Sequence, residues 1–305
     1  MDRRIDELIS RLQRGVVILD GATGTELTRR GATTTLPLWS AAALESHPEV
    51  VEEVHRDYVS AGADLVVANT FRTNVRTLRA AGLHARGGEL NRVAIELARR
   101  ATTESDRTVW VAASIAPVED CYRPDLVPDE ATLGDQHREM VAWLVDARAD
   151  LLWIETMNTT REARAAAAAA HEAGLPFALS FVVGEDGALL SGEAFEPAVA
   201  AVEAFEPLAI GLNCIPPDGM SMHLPRLRRA TQRPLAAYAH IGNPEPIIGW
   251  SFSRDMPPAE YASHAIKWVE QGARIVGGCC GTTPAHIRAL REARDAPTRG
   301  ARRRA

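Results

Sequence analysis

Eight short apolar, β-rich runs, each followed by a helix-like stretch, constrain this chain more than any other feature of its sequence. The runs are Val16–Asp20, Asp64–Asn69, Val109–Ile115, Asp150–Glu155, Phe177–Val182, Leu208–Asn213, Leu235–Ala239 and Arg274–Gly277. The stretches between them carry helical periodicity over Ser40–Ala61, Gly88–Arg100, Leu133–Ala147, Thr160–Ala173, Pro197–Ala204, a segment ending near Ala230, Pro258–Gln271 and Pro284–Ala293. Strands that alternate with helices fold as a parallel sheet, because each crossover helix must bury its apolar stripe against a sheet face. Eight such units predict a single (β/α)8 TIM barrel with its active site at the C-terminal ends of the strands. An open doubly wound sheet is the competing arrangement. Residues 1–293 are assigned to the barrel domain and 294–305, rich in arginine, to a basic disordered tail.

The barrel makes a demand on the remaining residues: chemistry belongs just after the strands. Asp20, Asn69, Ser114, Glu155 and Asn213 lie at or near strand ends, Cys214 follows the sixth strand, and Cys279 and Cys280 follow the eighth. Adjacent cysteines are poor disulfide partners, since a trans peptide holds their Cα atoms about 3.8 Å apart and a bridge needs roughly 4.4 to 6.8 Å. A metal suits Gly277-Gly278-Cys279-Cys280-Gly281 better, with the glycines free to take positive φ and aim consecutive thiols at one point. Cys214 completes a set of three, and three protein ligands with an open fourth position is the pattern of a catalytic zinc. Buried apolar cysteines are the plainer alternative. Cys121, the fourth cysteine, falls in the loop after the third strand on the same face.

Gly211-Leu212-Asn213-Cys214 and Gly277 to Pro284 together resemble the zinc-ligand motifs of the homocysteine S-methyltransferase family, which includes betaine-, S-methylmethionine- and cobalamin-dependent enzymes. The resemblance runs from about Gly15 to Leu290. Asp20 to Leu27, Ala68-Asn69-Thr70-Phe71 and Trp153-Ile154-Glu155-Thr156 support it. It implies that Cys214, Cys279 and Cys280 hold Zn2+, and that Asp20 and Glu155 bind the ammonium group of homocysteine. A helix cap or a solvated turn carboxylate is the plainer, less favoured reading of each. The turn Gly21-Ala22-Thr23 offers backbone N–H groups to a carboxylate; as a plain tight turn it would do no such thing. Asn69, Ser114 and Asn213 complete the expected substrate-binding set. Two departures from the family pattern bear on the substrates. His240 stands where an asparagine is usual in Tyr238 to Gly242, and Phe71-Arg72-Thr73-Asn74 lacks the tyrosine that betaine-type members place near the zinc.

The expected function is zinc-dependent methyl transfer to the thiol of L-homocysteine, giving L-methionine. Residues 16–293 are consumed by the eight units, leaving no room for a linked corrinoid module, so a diffusing donor is expected: S-methylmethionine first, then S-adenosylmethionine. A separate corrinoid protein partner, betaine, or another thiol or selenol acceptor are the alternatives within the class. A non-catalytic zinc or redox barrel is the alternative outside it, ahead of a zinc hydrolase, which would prefer His and carboxylate ligands. A net charge of −6 and a pI near 5.9 argue against nucleic-acid and membrane-surface partners, which select basic surfaces. The absence of a long apolar run and the sparse cysteines in a metal-like pattern point to the cytoplasm. His47, His55, His84 and His171 read as surface residues.

Overall fold

The protein is described here from a computed structural model covering residues 3–242 and 256–296. All eight expected strands form: β1 (Val17–Ile18), β2 (Leu65–Ala68), β3 (Trp110–Ile115), β4 (Leu151–Met157), β5 (Phe177–Phe181), β6 (Ala209–Asn213), β7 (Leu235–Ala239) and β8 (Ala273–Gly278). They pair in parallel in the order β1-β8-β7-β6-β5-β4-β3-β2. The two ends of this sheet meet through a parallel bridge between Leu19 and Leu65 and a 3.0 Å bond from Asp20 N–H to the Leu65 carbonyl. The sheet is therefore a (β/α)8 barrel. β1 is shorter than expected, and the bridge at Leu19 does the work of a longer ladder.

The helices are α1 (Arg3–Arg14), α2 (Thr23–Arg29), α3 (Ala43–Ser46), α4 (Pro48–Ala61), α5 (Val75–Ala80), α6 (Gly87–Thr102), α7 (Glu130–Asp146), α8 (Thr160–Glu172), α9 (Phe195–Glu203), α10 (Pro217–Ala230), α11 (Pro258–Glu270) and α12 (Pro284–Asp295). Their starts follow local chemistry. Asp129 accepts from Thr132 N–H at 2.9 Å to cap α7, and Thr283 forms a capping box with His286 at the start of α12. The expected helix over Ser40–Ala61 is broken at His47 (φ −148°), because the residue before a proline is pushed out of the helical region. The glycine-rich turn after β1 is shorter than expected, since α2 begins at Thr23.

Two cores hold the barrel. Inside it, Trp110, Trp153 and Tyr238 are fitted by the small residues Ala112, Ala178, Ala209, Gly211 and Ala236. A Cβ on Gly211 would lie 2.7 Å from both Ala236 Cβ and Ser180 Oγ, so the interior has no space for one. Outside, Val66, Ile154, Leu179, Ile210 and Val276 pack against the helix ring. The N-terminal end is plugged by α1, whose buried stripe Ile5, Leu8 and Leu12 follows helical spacing. Beside the plug, the fully buried Asp64 accepts from Arg11, Arg107, Arg291 and Arg294 at 3.0 to 3.2 Å and from Ile18 N–H. One carboxylate thus ties α1, the loop before β3 and α12 to the seam between β1 and β2.

His55 corrects its surface assignment. It is fully buried in α4, and burial lowers its pKa to about 4, so it is a neutral core residue. The long loop expected between β7 and residue 255 falls largely outside the described residues, as does the basic tail from 297. No helix among the described residues is long and apolar enough to cross a membrane.

Candidate metal centre and substrate pocket

At the C-terminal ends of the strands lies a cavity of about 350 Å³ whose wall includes Asp20, Asn69, Ser114, Glu155, Cys214, Cys279 and Cys280. The sulfur atoms of Cys214, Cys279 and Cys280 all lie within 4.8 Å of one another. In the structure Cys214 and Cys279 are joined as a disulfide across 5.8 Å between Cα atoms, while Cys280 is a free thiol. The neighbouring pair Cys279 and Cys280 is not bridged, in keeping with the geometry of adjacent residues.

Backbone shape brings the sulfurs together. Cys214 has φ 51°, a left-handed conformation uncommon outside glycine, at the point where the chain leaves β6. Of the three glycines beside the thiols, only Gly281 (φ 84°) uses positive φ. Gly277 and Gly278 are needed for space instead: a Cβ on Gly277 would meet Leu19 Cβ at 2.6 Å, and one on Gly278 would overlap Thr282. Thr282 occupies that space because its hydroxyl donates to the Cys279 carbonyl at 2.7 Å and accepts from Ala22 N–H at 3.3 Å, pinning the β8 loop to the β1 loop.

The thiol set fits a soft dication once reduced. Burial pushes the Cys280 thiol up to about 12, with Cys121 and Glu155 adding to the rise, so a thiolate here requires nearby positive charge. Three sulfurs converging on one point supply a zinc-type donor set with a position left open.

Two carboxylates face the same cavity. Glu155 sits at the irregularity where β4 shifts register against β5, and Thr156 beside it has φ 62°. Ser114 Oγ donates to Glu155 at 2.6 Å, and Tyr238 OH donates at 3.3 Å while accepting from Trp153 Nε1 at 2.9 Å. Burial raises the Glu155 carboxyl to about 7, and these two hydrogen bonds offset only part of the cost. Asp20 accepts from Val67 N–H at 2.9 Å, yet burial, assisted by the charge of Glu155, raises it well above the usual carboxylate range. Neither carboxylate has a cationic side chain within ion-pair distance among the described residues. The pocket therefore presents two acids whose ionised forms a bound cation would favour.

The other expected site residues divide. Gly21, Ala22 and Thr23 line the cavity, although Ala22 N–H is already taken by Thr282. Asn69 lines it too, with its amide donating to the Ser40 carbonyl at 2.8 Å. Asn213 does not reach the wall. Its side chain accepts from Thr156 N–H and donates to Thr156 Oγ1, both at 2.9 Å, and so braces the strand end that carries Glu155. Cys121 lines the pocket and is raised to about 12 by burial. Not assigned to the site from the sequence were Trp39, Phe71, Tyr122 and Arg72, which complete the wall from loops, and Tyr238, whose place beside Glu155 requires knowing how β4 and β7 meet inside the barrel.

A family model described as homocysteine S-methyltransferase matches residues 17–294. The selenocysteine methyltransferase of Astragalus bisulcatus is 30% identical, with 94% of each chain covered. The homocysteine S-methyltransferase of Escherichia coli (strain K12) is 32% identical over 92% of this chain and 95% of its own. Crystal structures of the homocysteine methyltransferase MmuM from Escherichia coli superpose with a TM-score of 0.82 in both a metallated and an oxidized form. Their identities are 31% and 30%, and they cover 94% and 95% of this chain and 99% of the crystallised one.

Proposed function

This chain belongs to the homocysteine S-methyltransferase family, and from that premise we propose that it is a zinc enzyme moving a methyl group from a sulfonium donor to the thiol of L-homocysteine. Cys214, Cys279 and Cys280 would hold the ion after reduction of the Cys214–Cys279 pair. Bound there, zinc supplies positive charge that lowers the acceptor thiol's pKa from about 8.5. The chain's own residues do the positioning. Asp20 and Glu155 take the acceptor's ammonium group, which restores their ionisation, and Ser114 and Tyr238 keep the Glu155 carboxylate aimed into the cavity. The backbone of Gly21 to Thr23 lies beside them for the acceptor's carboxylate. Trp39 and Tyr122 line the same cavity and supply aromatic rings for a positively charged methyl donor.

In the transfer the acceptor sulfur forms the new bond to the methyl carbon. The old carbon–sulfur bond breaks with its electron pair staying on the donor sulfur, which leaves as a neutral thioether, and the acceptor's thiol proton is released. With S-methylmethionine, both products are methionine.

The observation that carries this reading is the convergence of three sulfurs, within 4.8 Å of one another, on a cavity walled by one buried and one half-buried carboxylate, Asp20 and Glu155, neither with a cationic partner among the described residues. The test is methionine formation by reduced, zinc-loaded protein given homocysteine and, in turn, S-methylmethionine, S-adenosylmethionine, betaine and a methylated corrinoid protein. Full activity of zinc-free protein refutes the metal assignment, and activity only with the corrinoid protein or betaine refutes the sulfonium assignment. The similarity to selenocysteine methyltransferase favours a second acceptor, a selenol, and competition between homocysteine and selenocysteine measures it.

A further inference from the structure

The cavity wall holds two arginines, and their states differ. Arg123 is engaged, donating to both oxygens of Asp125 at 2.8 and 2.7 Å. Arg72 follows Phe71 in the loop after β2, with its guanidinium carbon 5.8 Å from the Phe71 ring centroid. Among the described residues no carboxylate lies within 4.0 Å of it, and its buried Nε–H has no hydrogen-bond partner. The acidic groups nearest in sequence to the same wall are occupied: Glu119 pairs with Arg76, and Asp120 accepts from Tyr122 N–H. A buried, unsatisfied N–H on a guanidinium is costly, and it sits in an otherwise acid-rich cavity. Such a group is explained by a ligand that brings an anion.

The anion's owner follows from the charges already placed. In an amino-acid acceptor the carboxylate and ammonium share one carbon, and the acceptor's carboxylate is already assigned to the backbone of Gly21 to Thr23 beside Asp20. Arg72 makes no ion pair with either acid, and its charge is felt instead at Cys121, in the loop after β3. Phe71 precedes Arg72 in the loop after β2, and Tyr122 follows Cys121 in the loop after β3.

Resting on the methyl-transfer reading above, we propose that Arg72 is a specificity residue that receives the carboxylate of the methyl donor. The donor then carries both an onium methyl group and a carboxylate, with the onium toward the aromatic residues of the wall and the carboxylate on the guanidinium fork. A donor whose only charge is positive meets an uncompensated arginine and is excluded by repulsion.

The experiment compares wild-type, Arg72→Gln and Arg72→Lys proteins, all reduced and zinc-loaded, with S-methyl-L-methionine and with its carboxamide, at varied homocysteine. For the wild type, the carboxamide should have a KM about tenfold to a hundredfold above that of the free acid, the scale of one charge-assisted bidentate contact. Arg72→Gln should lose that discrimination by raising the KM of the free acid, with zinc content and homocysteine KM unchanged, and Arg72→Lys should recover part of it. An unchanged donor KM in Arg72→Gln overturns the assignment, as does a loss that falls on homocysteine instead or equally on acid and carboxamide. Turnover by the wild type only with a donor lacking a carboxylate overturns it too. If the wild type methylates homocysteine from no donor, the family-level activity itself fails, an outcome distinct from all of these.

Discussion

Replacing Glu155 by glutamine should stabilise the ligand-free protein in alkaline solution while impairing it as an enzyme. The folded carboxyl is raised from 4.5 to about 7, chiefly by burial. For an acid raised in this way, the folded state binds the proton more tightly than the unfolded state, so stability falls as pH climbs from about 4.5 to about 7 and stays low above it. At 1.36 kcal/mol per pKa unit, the cost of holding the ionised carboxylate above pH 8 is on the order of 3 kcal/mol. Glutamine has the same shape, retains an acceptor for Ser114, and carries no charge to desolvate. It also removes one of the influences that raise Asp20, an effect of the same sign. At pH 5, where Glu155 is protonated, the two proteins should melt within about 1 °C of each other. At pH 8.5 the variant should melt about 5 °C higher, taking an unfolding entropy of roughly 2 cal/mol/K per residue. Thermal melts of reduced, ligand-free protein at the two pH values measure this, with homocysteine KM determined alongside. An equal difference at both pH values refutes the claim that desolvation of the charge, and not packing, is what the substitution relieves. The loss of homocysteine use, on the order of 2 to 5 kcal/mol if the ammonium contact is desolvated, would make Glu155 a residue whose function is held against stability.

Two further outcomes follow from the same site. Cys214→Ala, Cys279→Ala and Cys280→Ala should each lower bound zinc from about one ion per chain and abolish turnover, measured by metal analysis after reduction; wild-type zinc content in any of the three removes that residue from the ligand set. Homocysteine affinity should fall about tenfold per pH unit below the point near 7 where Glu155 takes up its proton, since the neutral acid no longer attracts an ammonium; a flat calorimetric profile between pH 5.5 and 7.5 would exclude Glu155 as the partner.

The strand periodicity made the barrel legible, and β7 coincides with its expected bounds because Leu235 to Ala239 is an uninterrupted apolar run with clear breaks on both sides. The thiol set was legible for a different reason: Cys-Cys between glycines has few structural uses. What was hidden depends on contacts between distant parts of the chain. α1 carries its apolar stripe openly, but only the assembled barrel shows that the stripe has an end to plug. Tyr238 and Trp153 become partners of Glu155 only once β4 and β7 are placed across the interior from each other. Gly277 and Gly278 were legible as necessary and misread as to cause, since crowding by Leu19 and Thr282 is invisible without the closed sheet. His55 was misplaced because one histidine in a polar-looking helix gives no sign of which face it occupies.

The knot around Asp64 sets the order in which the molecule can be completed. Its four arginines come from α1, from the loop before β3 and, more than 220 residues later, from α12. During synthesis from the N-terminus, Asp64 and the β1–β2 seam emerge early, but half of their cationic partners follow more than 220 residues later. Until α12 docks, a carboxylate meant for full burial has reason to remain hydrated, and a hydrated Asp64 keeps the seam open. Helix α12 is therefore the latch of the barrel, and chains truncated before Pro284 should be cut by protease near residue 64, where chains that include α12 resist. Equal resistance of the two would mean that the ring closes without its latch.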